Sequence, residues 1–341
     1  MSTRCIAAVI DGFGTMEQLV LRELTLPAPR PGEVLVQVQA ASVNPIDVRR
    51  RTGYGRRLLG LMGAGQPPIV LGNDFAGVVR AVGRGVTTLR EGDAVFGAKP
   101  PSANGSHACH VIVKAGHAVL QDTGLDAPSH AILPYNYLTV RRALAGAGLD
   151  ASSARARPVL VYGASGGLGL LAIRMLHAMG AEVTAVASHA FAECRAAGAL
   201  HLVDRRVTPL HKLESRFAAT LNFANWDDDA ALLRLLATDA LGHATTVHPL
   251  MAHIDAHGLL LGALRAMRNK RQMRSLLPQG ARYDWTVFRP DPAAMPLLRD
   301  FAAQDRAAPA IQCYRLDQVG AAHRHVSARL PGRAVLLPQQ H

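Results

Sequence analysis

The sequence predicts an α/β protein of two domains, one rich in β-strands and one built on a doubly wound parallel sheet. Its 341 residues suit two domains of ordinary size. In the first third, short runs with strand patterns are broken by Pro and Gly. From about Leu138 onward, strand and helix patterns alternate, which is typical of a parallel sheet with helices on both faces.

The first domain is predicted to be a small, barrel-like β-domain. In APRPGEVLVQVQAASV, apolar side chains alternate at Val34, Val36 and Val38, as they do in a half-buried strand. In VVRAVGRGVTTLREGDAVFG, two strand patterns flank a glycine turn, and Gly92-Asp93 predicts a second tight turn.

The second domain is predicted to be a series of strands and helices. YLTVRRALAGAGL has a helical pattern, and a short buried strand (159–162) precedes a helix (169–179). AEVTAVAS and LHLVD are strands on either side of a helix that ends at Gly198. DDDAALLRLLATDAL is predicted to be a helix, and GLLLGAL (258–264) and DWTVF are predicted to be strands. From Leu297 the chain holds a helix, the strand AIQCYRL, the helix DQVGAAHRHVSARL and the strand GRAVLLP.

Composition argues against a membrane-spanning or disulfide-stabilised protein. The densest apolar run, GLLLGAL, is far shorter than the roughly 20 residues of a spanning helix. The N-terminal MSTRCIAAVIDGFG enters a strand pattern at once, so we expect no targeting peptide and a cytoplasmic protein. The cysteines are scattered without a CxxC pair, which disfavours a disulfide framework or a structural zinc site; they are Cys5, Cys109, Cys194 and Cys313.

The chain is strongly basic, with a formal net charge of +12. The excess is arginine rather than lysine, a bias that resembles the composition of GC-rich bacteria. A basic surface can attract nucleic acid, but it can equally steer an anionic cofactor. Charge alone therefore does not decide the partner.

The stretch VLVYGASGGLGLLAI places four glycines between a buried strand and a helix. Glycine allows a tight turn and lets the backbone approach a phosphate at the helix N-terminus. Since polar side chains are nearly absent, the ligand must be bound mainly by backbone groups. The position inside a βαβ unit predicts a dinucleotide site, with cofactor contacts at Gly163, Ser165, Gly166, Gly167, Leu168 and Gly169.

The end of the next strand indicates which dinucleotide binds. NAD-binding proteins usually carry an acidic residue about 20 positions on, which binds the ribose 2′-OH. Here Ala187, Ser188 and His189 occupy that place, and the nearest acid, Glu193, lies within the helix. Ser188 could donate to a 2′-phosphate and Arg205 could supply charge, although Arg205 could equally be a solvated loop residue. We therefore expect NADPH, bound by Ser188, His189 and Arg205.

Five motifs occur together in one order: ASVNPIDVRRRTGYG, PPIVLGNDFAGVVRAVGRGVTTLREGDAVFG, LPYNYLTVRRAL, VLVYGASGGLGLLAI and GRAVLL. In this order they resemble the zinc-free medium-chain dehydrogenase/reductases of the quinone oxidoreductase (zeta-crystallin) type. VNPIDV followed by GYG, with GASGG later, is most similar to the branch of reticulon-interacting oxidoreductases. The resemblance is specific from Val34 to Ser188 and weaker over residues 206–295, where LNFANWDDD replaces the family's aspartate-containing strand and glycine turn.

The resemblance implies a GroES-like catalytic domain formed by both termini (1–138 and 290–341) and a Rossmann NADPH-binding domain (139–289), with a cleft where they meet. A homodimer is expected only from this resemblance. Zinc-dependent relatives carry a cysteine ligand where this sequence has Asn44, and a His-Glu pair where it has Asn73 and Asp74. Because zinc sites of this kind require thiolate and imidazole ligands, we expect no metal.

The resemblance also implies which side chains lie near the reaction. In such relatives the asparagine matching Asn44 lies beside nicotinamide and substrate, and Thr139 matches a threonine near the nicotinamide, unless it is an ordinary helix residue. Asp47 and Tyr54 follow on the same loop. Tyr54 is the candidate donor to the developing oxyanion, with packing beside a glycine turn as the alternative. The predicted catalytic residues are Asn44, Asp47 and Tyr54; predicted substrate contacts are Tyr54, Asn73 and Tyr135, and Gly262 completes the predicted cofactor set.

Histidines and arginines form less specific clusters. Four histidines lie close together in the sequence, but no cysteine or carboxylate recurs near them at the spacing of metal ligands. We therefore expect them at the surface or at helix ends; they are His243, His248, His253 and His257. The basic run RAMRNKRQMR (265–274) lacks the interleaved aromatics of nucleic-acid modules, so we expect a solvated mobile loop. The arginines of RRRTGYGRR (49–57) leave an anionic substrate open, such as an acyl thioester of CoA.

The leading hypothesis is an NADPH-dependent, metal-free reductase of a small-molecule quinone or enone. One alternative is an enoyl-thioester reductase in a biosynthetic pathway. The other is a non-catalytic NADPH-binding or nucleic-acid-binding homologue, although we do not expect nucleic acid to be the partner.

Overall fold

The computed structural model describes residues 2–214, 216–304 and 309–339. In these residues the strands are β1 Thr3–Ile10, β2 Leu19–Leu26, β3 Glu33–Ser42, β4 Ile69–Val70, β5 Asp74–Val82, β6 Ala94–Ala98, β7 His110–Lys114, β8 Ala118–Leu120, β9 Pro158–Tyr162, β10 Glu182–Ala187, β11 His201–Asp204, β12 Ala219–Asn222, β13 Gly242–Thr245, β14 Arg282–Trp285, β15 Ile311–Arg315 and β16 Arg333–Leu337. The α-helices of the same residues are α1 Pro45–Arg51, α2 Arg56–Gly60, α3 Ala127–Ala131, α4 Pro134–Gly146, α5 Gly167–Ala178, α6 Phe191–Ala196, α7 Asp229–Leu233, α8 Leu250–His257, α9 Leu259–Arg274, α10 Met295–Gln304 and α11 Val319–Ser327. None of these helices has both the length and the apolar character that a bilayer crossing requires.

The chain divides into two compact units. The first comprises the described residues up to Leu138, the segment Ile254–Leu259 and the described residues from Arg289 onward. The second comprises Thr139–His253 and Leu260–Phe288. The placement of Ile254–Leu259 differs from the predicted boundary, because the carboxylate of Asp255 accepts hydrogen bonds from the backbone N–H groups of Gly55 and Arg57 in the first unit.

Two sheets build the first unit. One has the strand order β15-β16-β3-β5-β6-β8, with β7 also paired to β3, and the other has the order β2-β1-β4. Val34, Val36 and Val38 of β3 are fully buried in one core with Phe75 and Val95, as predicted. Leu35 on the opposite face is also buried, in a second core, so β3 is more deeply buried than a half-buried strand. Since β3 pairs with β16 as well as with β5, one strand joins the N-terminal and C-terminal parts of the chain.

The second unit contains a parallel sheet of six strands in the order β11-β10-β9-β12-β13-β14. Numbered along the chain, this is the 3-2-1-4-5-6 order of a doubly wound sheet. The apolar strands β9 and β10 are almost wholly buried, as strands with helices on both faces should be. The predicted fold class is therefore confirmed, and the strand order reverses between β9 and β12.

The region without a clear counterpart in the resemblance folds around the buried carboxylate of Asp229. It accepts hydrogen bonds from the Asn222 amide (2.9 Å) and the Tyr283 hydroxyl (2.8 Å) and contacts His243 Nε2 (2.9 Å). The other ring nitrogen of His243 contacts Thr220 Oγ1 at 2.7 Å. Burial alone would raise the pKa of Asp229, but the His243, Asn222 and Tyr283 partners hold it below its ordinary value.

The expectation of surface histidines is wrong for His243 and His248. Both are buried, and His248 stacks on the ring of Trp285 with ring centroids 4.8 Å apart. Burial lowers the pKa of His248 to about 4, so this ring is neutral at physiological pH. The sequence did not indicate their burial, because the residues that contact them, such as Asp229 and Trp285, lie far along the chain.

The run GLLLGAL is also a correction, since it begins α9 instead of forming a strand. The place beside β13 in the sheet is taken by β14, which starts at Arg282. The arginine-rich run 265–274, predicted to be a mobile loop, forms the remainder of α9. DDDAALLRLLATDAL is helical over a shorter range than predicted, Asp229–Leu233.

Substitution of Gly169 by Ala is expected to destabilise the protein by about 1–3 kcal/mol or more, as overpacking does. A Cβ at this position would lie 2.3 Å from the carbonyl oxygen of Gly163 and 2.6 Å from the Cα of Ala164, neither of which is a flexible side chain. Urea unfolding followed by circular dichroism measures the free energy of unfolding.

The matched control is Gly320→Ala in α11, where the nearest atom to a new Cβ is the end of the Arg324 side chain at 3.7 Å. This variant is expected to be neutral, or more stable by about 0.5–1 kcal/mol. Equal free energies for Gly169→Ala and the wild type would contradict the close contact.

Candidate active site: a glycine turn and a buried polar cluster

The glycine-rich turn follows β9 and leads into α5, at the point where the strand order reverses. Gly163 has φ +82°, and the backbone N–H groups of Gly163 and Ala164 both donate to the carbonyl of Val186 on β10 at 3.2 Å. Gly169 brings α5 into close contact with the turn, as described above. The turn is thus fixed to two neighbouring strands.

The N-terminal end of α5 fits an anionic group. Gly166 caps the helix in an extended conformation, and no side chain caps the α5 amides in the described structure. A Cβ on Gly166 would meet only the carbonyl oxygen of Gly163 at 3.4 Å, so the backbone is open to a ligand there. The first amides of a helix lack intrahelical acceptors and carry its positive dipole. Of the predicted cofactor residues, these are the amides of Gly167, Leu168 and Gly169; Ser165 lies half-buried within the turn.

Ser188 and Arg205 come together at the carboxyl ends of β10 and β11. The backbone N–H of Arg205 donates to the carbonyl of Ala187 at 2.9 Å, and Ser188 Oγ lies 3.1 Å from Nδ1 of His189. The Arg205 side chain is exposed, with its guanidinium carbon 5.5 Å from the ring centre of Tyr162. These residues form an edge whose side chains are polar or cationic.

The one carboxylate at the end of β11, Asp204, forms an ion pair with Arg206 at 2.7 Å. The hydrogen bonds from Arg206 lower the pKa of Asp204 and keep it charged. The negative charge of Asp204 is thus paired with Arg206. The edge formed by Ser188, His189 and Arg205 therefore remains suited to an anion.

In the first unit, the carboxylate of Asp74 gathers residues from several elements. Asp74 is fully buried at the start of β5. Its Oδ2 accepts hydrogen bonds from Ser42 Oγ (2.5 Å) and Asn44 Nδ2 (2.9 Å), and its Oδ1 accepts one from the backbone N–H of Tyr135 (2.6 Å). Arg333 donates to Asn44 Oδ1 at 2.7 Å, which joins β16 to the same cluster. Both functional groups of the Asn44 amide are thereby fixed.

Burial raises the pKa of Asp74 to about 7, although the donors from Ser42, Asn44 and Tyr135 oppose the shift. Burial likewise lowers the pKa of the neighbouring Arg333. The pKa of the Asp74 carboxyl thus lies near neutral pH, the range in which acid–base groups of active sites are usually found.

Asp47 has a structural role in the cluster. Its Oδ2 accepts from the backbone N–H of Asn44 (2.8 Å) at the start of α1, and its Oδ1 accepts from the backbone N–H of Gly72 (3.1 Å). The carboxylate is fully buried and bound to main-chain donors. Asp47 therefore positions the Asn44 loop through hydrogen bonds to main-chain groups, and its predicted part in catalysis stays a prediction.

The predicted tyrosines of this unit both have an elevated pKa. Tyr54 is half-buried, with the guanidinium of Arg49 3.5 Å from its ring centre. Burial raises its pKa, and the charge of Arg49 partly offsets that rise. Burial, followed by the charges of Asp47 and Asp74, raises the pKa of Tyr135 as well. Both phenols are therefore protonated at neutral pH and are hydrogen-bond donors.

Three predicted residues lie outside these two groups of side chains. Asn73 is fully buried, and its amide nitrogen donates to the carbonyl of Lys99 at 2.9 Å. Thr139 is buried in α4 of the second unit. Gly262 is buried within α9, where GLLLGAL was predicted to form a strand.

Sequence reasoning missed two members of the Asp74 cluster, Ser42 and Arg333. Asp74 was singled out only because it matches a zinc ligand of metal-dependent relatives. The motifs LGND and GRAVLL contained Asp74 and Arg333. No spacing rule relates Arg333 to Asn44, which lies 289 positions earlier in the chain.

Replacing Asp74 with Asn is expected to remove part of the pH dependence of stability. The Asp74 carboxyl has a pKa of about 7 in the folded state against an ordinary value of 3.8, so the folded state binds this proton more tightly. The proton bound by Asp74 stabilises the folded state at low pH, and this stabilisation is lost as the pH rises through about 7. The free energy of unfolding is expected to fall by on the order of 4 kcal/mol in total for this reason. Unfolding in urea between about pH 4 and about pH 8 measures this contribution as the difference between the two proteins.

Ser42→Ala is the control, because it removes one donor but keeps the carboxyl group, and it should retain or steepen the pH dependence. If wild type and Asp74→Asn change stability in parallel across this range, the raised pKa of Asp74 is contradicted.

Comparison with known proteins agrees with both units. Residues 30–126 match the family model described as alcohol dehydrogenase GroES-like domain. The chain is 31% identical to the NAD(P)H oxidoreductase RTN4IP1, mitochondrial, of Bos taurus over 319 residues, which cover 88% of this chain and 80% of that protein. It is 36% identical over 173 residues to the quinone oxidoreductase of Lama guanicoe, about half of each chain.

Among solved structures, the quinone oxidoreductase from Coxiella burnetii has the same fold, with a TM-score of 0.81 and 22% identity over 98% of this chain and 100% of that one. The bovine relative is named as mitochondrial, so the cytoplasmic location expected from the sequence stays a prediction. The extent and identity of these matches show that the chain belongs to the medium-chain dehydrogenase/reductase family, in the group that contains the reticulon-interacting NAD(P)H oxidoreductases and the quinone oxidoreductases.

Proposed function

We propose that this protein is an NADPH-dependent, metal-free oxidoreductase that reduces a quinone or an α,β-unsaturated carbonyl compound. The observation that carries the proposal is the edge formed by Ser188, His189 and Arg205 beside the glycine turn at Gly163. A turn of this kind at the reversal point of a doubly wound sheet is the usual place of a dinucleotide. The relatives named NAD(P)H oxidoreductase and quinone oxidoreductase support the reaction class.

The same edge favours NADPH over NADH. A 2′-phosphate carries negative charge and accepts charge-assisted hydrogen bonds from arginine and hydroxyl groups. Arg205 is exposed at the edge, and the nearest strand-end carboxylate, Asp204, is paired with Arg206. The acidic residue that would bind a ribose 2′-OH is replaced by Ser188.

NADPH, when bound, supplies the hydride for reduction of the substrate. Reduction of a quinone or enone leaves negative charge on an oxygen, which requires a hydrogen-bond donor or a proton. Tyr54 and Tyr135 are the protonated phenols of the first unit, and we assign Tyr54 as the donor. Hydrogen bonds to Asp74 and from Arg333 hold the Asn44 amide in one orientation. Asp47 fixes the loop that carries Asn44.

The donor set supports chemistry without zinc. The positions that match the zinc ligands of metal-dependent relatives carry Asn44, Asn73 and Asp74, which offer amides and one carboxylate instead of thiolate and imidazole. The Asn44 amide and the Asp74 carboxylate are already bound to protein groups. Stabilisation of the oxyanion is therefore assigned to side-chain donors.

The arginines that suggested a CoA thioester are divided in the structure. Arg50 and Arg51 are buried, where they donate to the main-chain carbonyls of Ser102 and Gly14. Arg49 lies against Tyr54. Arg56 and Arg57 of the same run are exposed. The enoyl-thioester alternative therefore stays open, and an acceptor panel tests it directly.

Arg205→Ala is expected to weaken NADPH binding by about 10- to 100-fold, because a hydrogen bond to a charged group contributes about 1.5–3 kcal/mol. NADH binding should change by less than about two-fold, since NADH lacks the 2′-phosphate. Titration of cofactor fluorescence measures both affinities. Arg234→Ala, which removes another exposed arginine of the second unit, should leave both unchanged.

Equal affinity of the wild type for NADPH and NADH would contradict the cofactor assignment. The reaction is followed as NADPH oxidation with quinones, enones and enoyl thioesters. Turnover of thioesters alone would favour the biosynthetic reductase. NADPH binding without turnover of any acceptor would favour a non-catalytic NADPH-binding protein.

A further inference from the structure

Helix α9 presents apolar and basic side chains to solvent on one face. Leu260, Leu264 and Met267 are 79%, 55% and 53% exposed and follow one another at spacings of four and three residues. Residues at these spacings lie on the same side of a helix. The opposite side, with Gly262 and Ala266, is buried. The leucines therefore form a stripe that the described structure does not cover.

Arginines border and extend this stripe. Arg268 and Arg271 are exposed, and each follows an apolar residue of the stripe by four positions, Leu264 and Met267 respectively. Residues at this spacing are neighbours on a helical surface. We call Leu260, Leu261, Leu264, Met267, Arg268 and Arg271 the leucine–arginine face. Between Asp255 and Asp284 the sequence has no acidic residue, so the face carries only positive charge.

The same chemistry recurs in the first unit, on α2 and the residues that follow it. Leu61 and Met62 are 69% and 61% exposed, and Arg56 and Arg57 on α2 are exposed as well. The start of α2 is held by Asp255 of α8, which leads directly into α9. Exposed leucine or methionine next to exposed arginine is thus found twice.

We propose that the leucine–arginine face binds an anionic lipid surface, with the helix lying in the plane of the membrane. Interfacial helices insert apolar side chains at the boundary between headgroups and acyl chains. Their arginines keep the charged ends among the anionic headgroups while the side-chain stems lie on apolar surface. The face offers both parts, and it requires no membrane-spanning segment. This role goes beyond the proposed reductase activity and does not depend on it.

Two other occupants fit the face less well. A second copy related by two-fold symmetry would bring arginines against arginines without an acidic partner on α9. A nucleic-acid backbone would neutralise the arginines but would leave Leu260, Leu261 and Leu264 without an apolar environment. An anionic lipid surface satisfies the charge and the apolar stripe together.

The test is co-sedimentation of the full chain with vesicles of phosphatidylcholine alone or with about one third phosphatidylglycerol. Binding is expected to the anionic vesicles only, and to weaken as salt rises from about 50 to about 500 mM. Arg268→Glu/Arg271→Glu and Leu260→Ser/Leu264→Ser should each reduce binding by about ten-fold.

Matched controls are Arg234→Glu and Val207→Ser, which alter an exposed arginine and an exposed apolar residue elsewhere in the second unit. Both should bind vesicles like the wild type. Thermal unfolding by circular dichroism checks that all variants fold, as expected for exposed positions.

Absence of vesicle binding, or equal binding to neutral and anionic vesicles, would overturn the proposal. So would vesicle binding that both face variants retain. If the wild type is an oligomer that does not bind vesicles, and light scattering shows that Leu260→Ser/Leu264→Ser dissociates it, the face is a subunit interface. If the wild type binds duplex DNA but not vesicles, the partner is nucleic acid.

Discussion

A single buried carboxylate holds together the polar cluster of the first unit. Asp74 accepts hydrogen bonds from β3 through Ser42, from the cap of α1 through Asn44 and from the start of α4 through the Tyr135 amide. Arg333 reaches the same cluster through Asn44. A buried carboxylate is costly unless its oxygens are hydrogen-bonded, so these four elements are constrained together. The orientation of the Asn44 amide follows from that constraint.

The second unit has a comparable constraint in the contact between the glycine turn and α5. The helix can begin close to β9 only because Gly169 has no side chain. The same close approach leaves the first α5 amides and the open backbone at Gly166 available to a phosphate. Asp229 serves the other half of the sheet, where it satisfies buried polar groups of β12, β13 and β14. In each unit, one buried carboxylate therefore accepts hydrogen bonds from groups on several elements.

Patterns within short stretches were sufficient for most of the fold. The strand pattern of β3 and the strand–turn–helix at Gly163 are local, and both elements are found in the structure. The run GLLLGAL was misassigned because seven apolar residues fit a strand or a helix equally well, and only the sheet decides between them. His243 looked like a surface residue because its partners, Asp229 and Tyr283, are separate in sequence. Arg333 could not be assigned to the site for the same reason.

In the proposed reaction, hydride passes from NADPH to an organic acceptor without a metal. The most direct measurement uses NADPH with deuterium at both C4 positions, an enone acceptor, and protein dialysed against a chelator, with the product analysed by mass spectrometry. The account predicts that the deuterium appears at the β-carbon of the product and that added zinc does not raise the rate. Failure to transfer the label, or transfer that requires zinc, would contradict it.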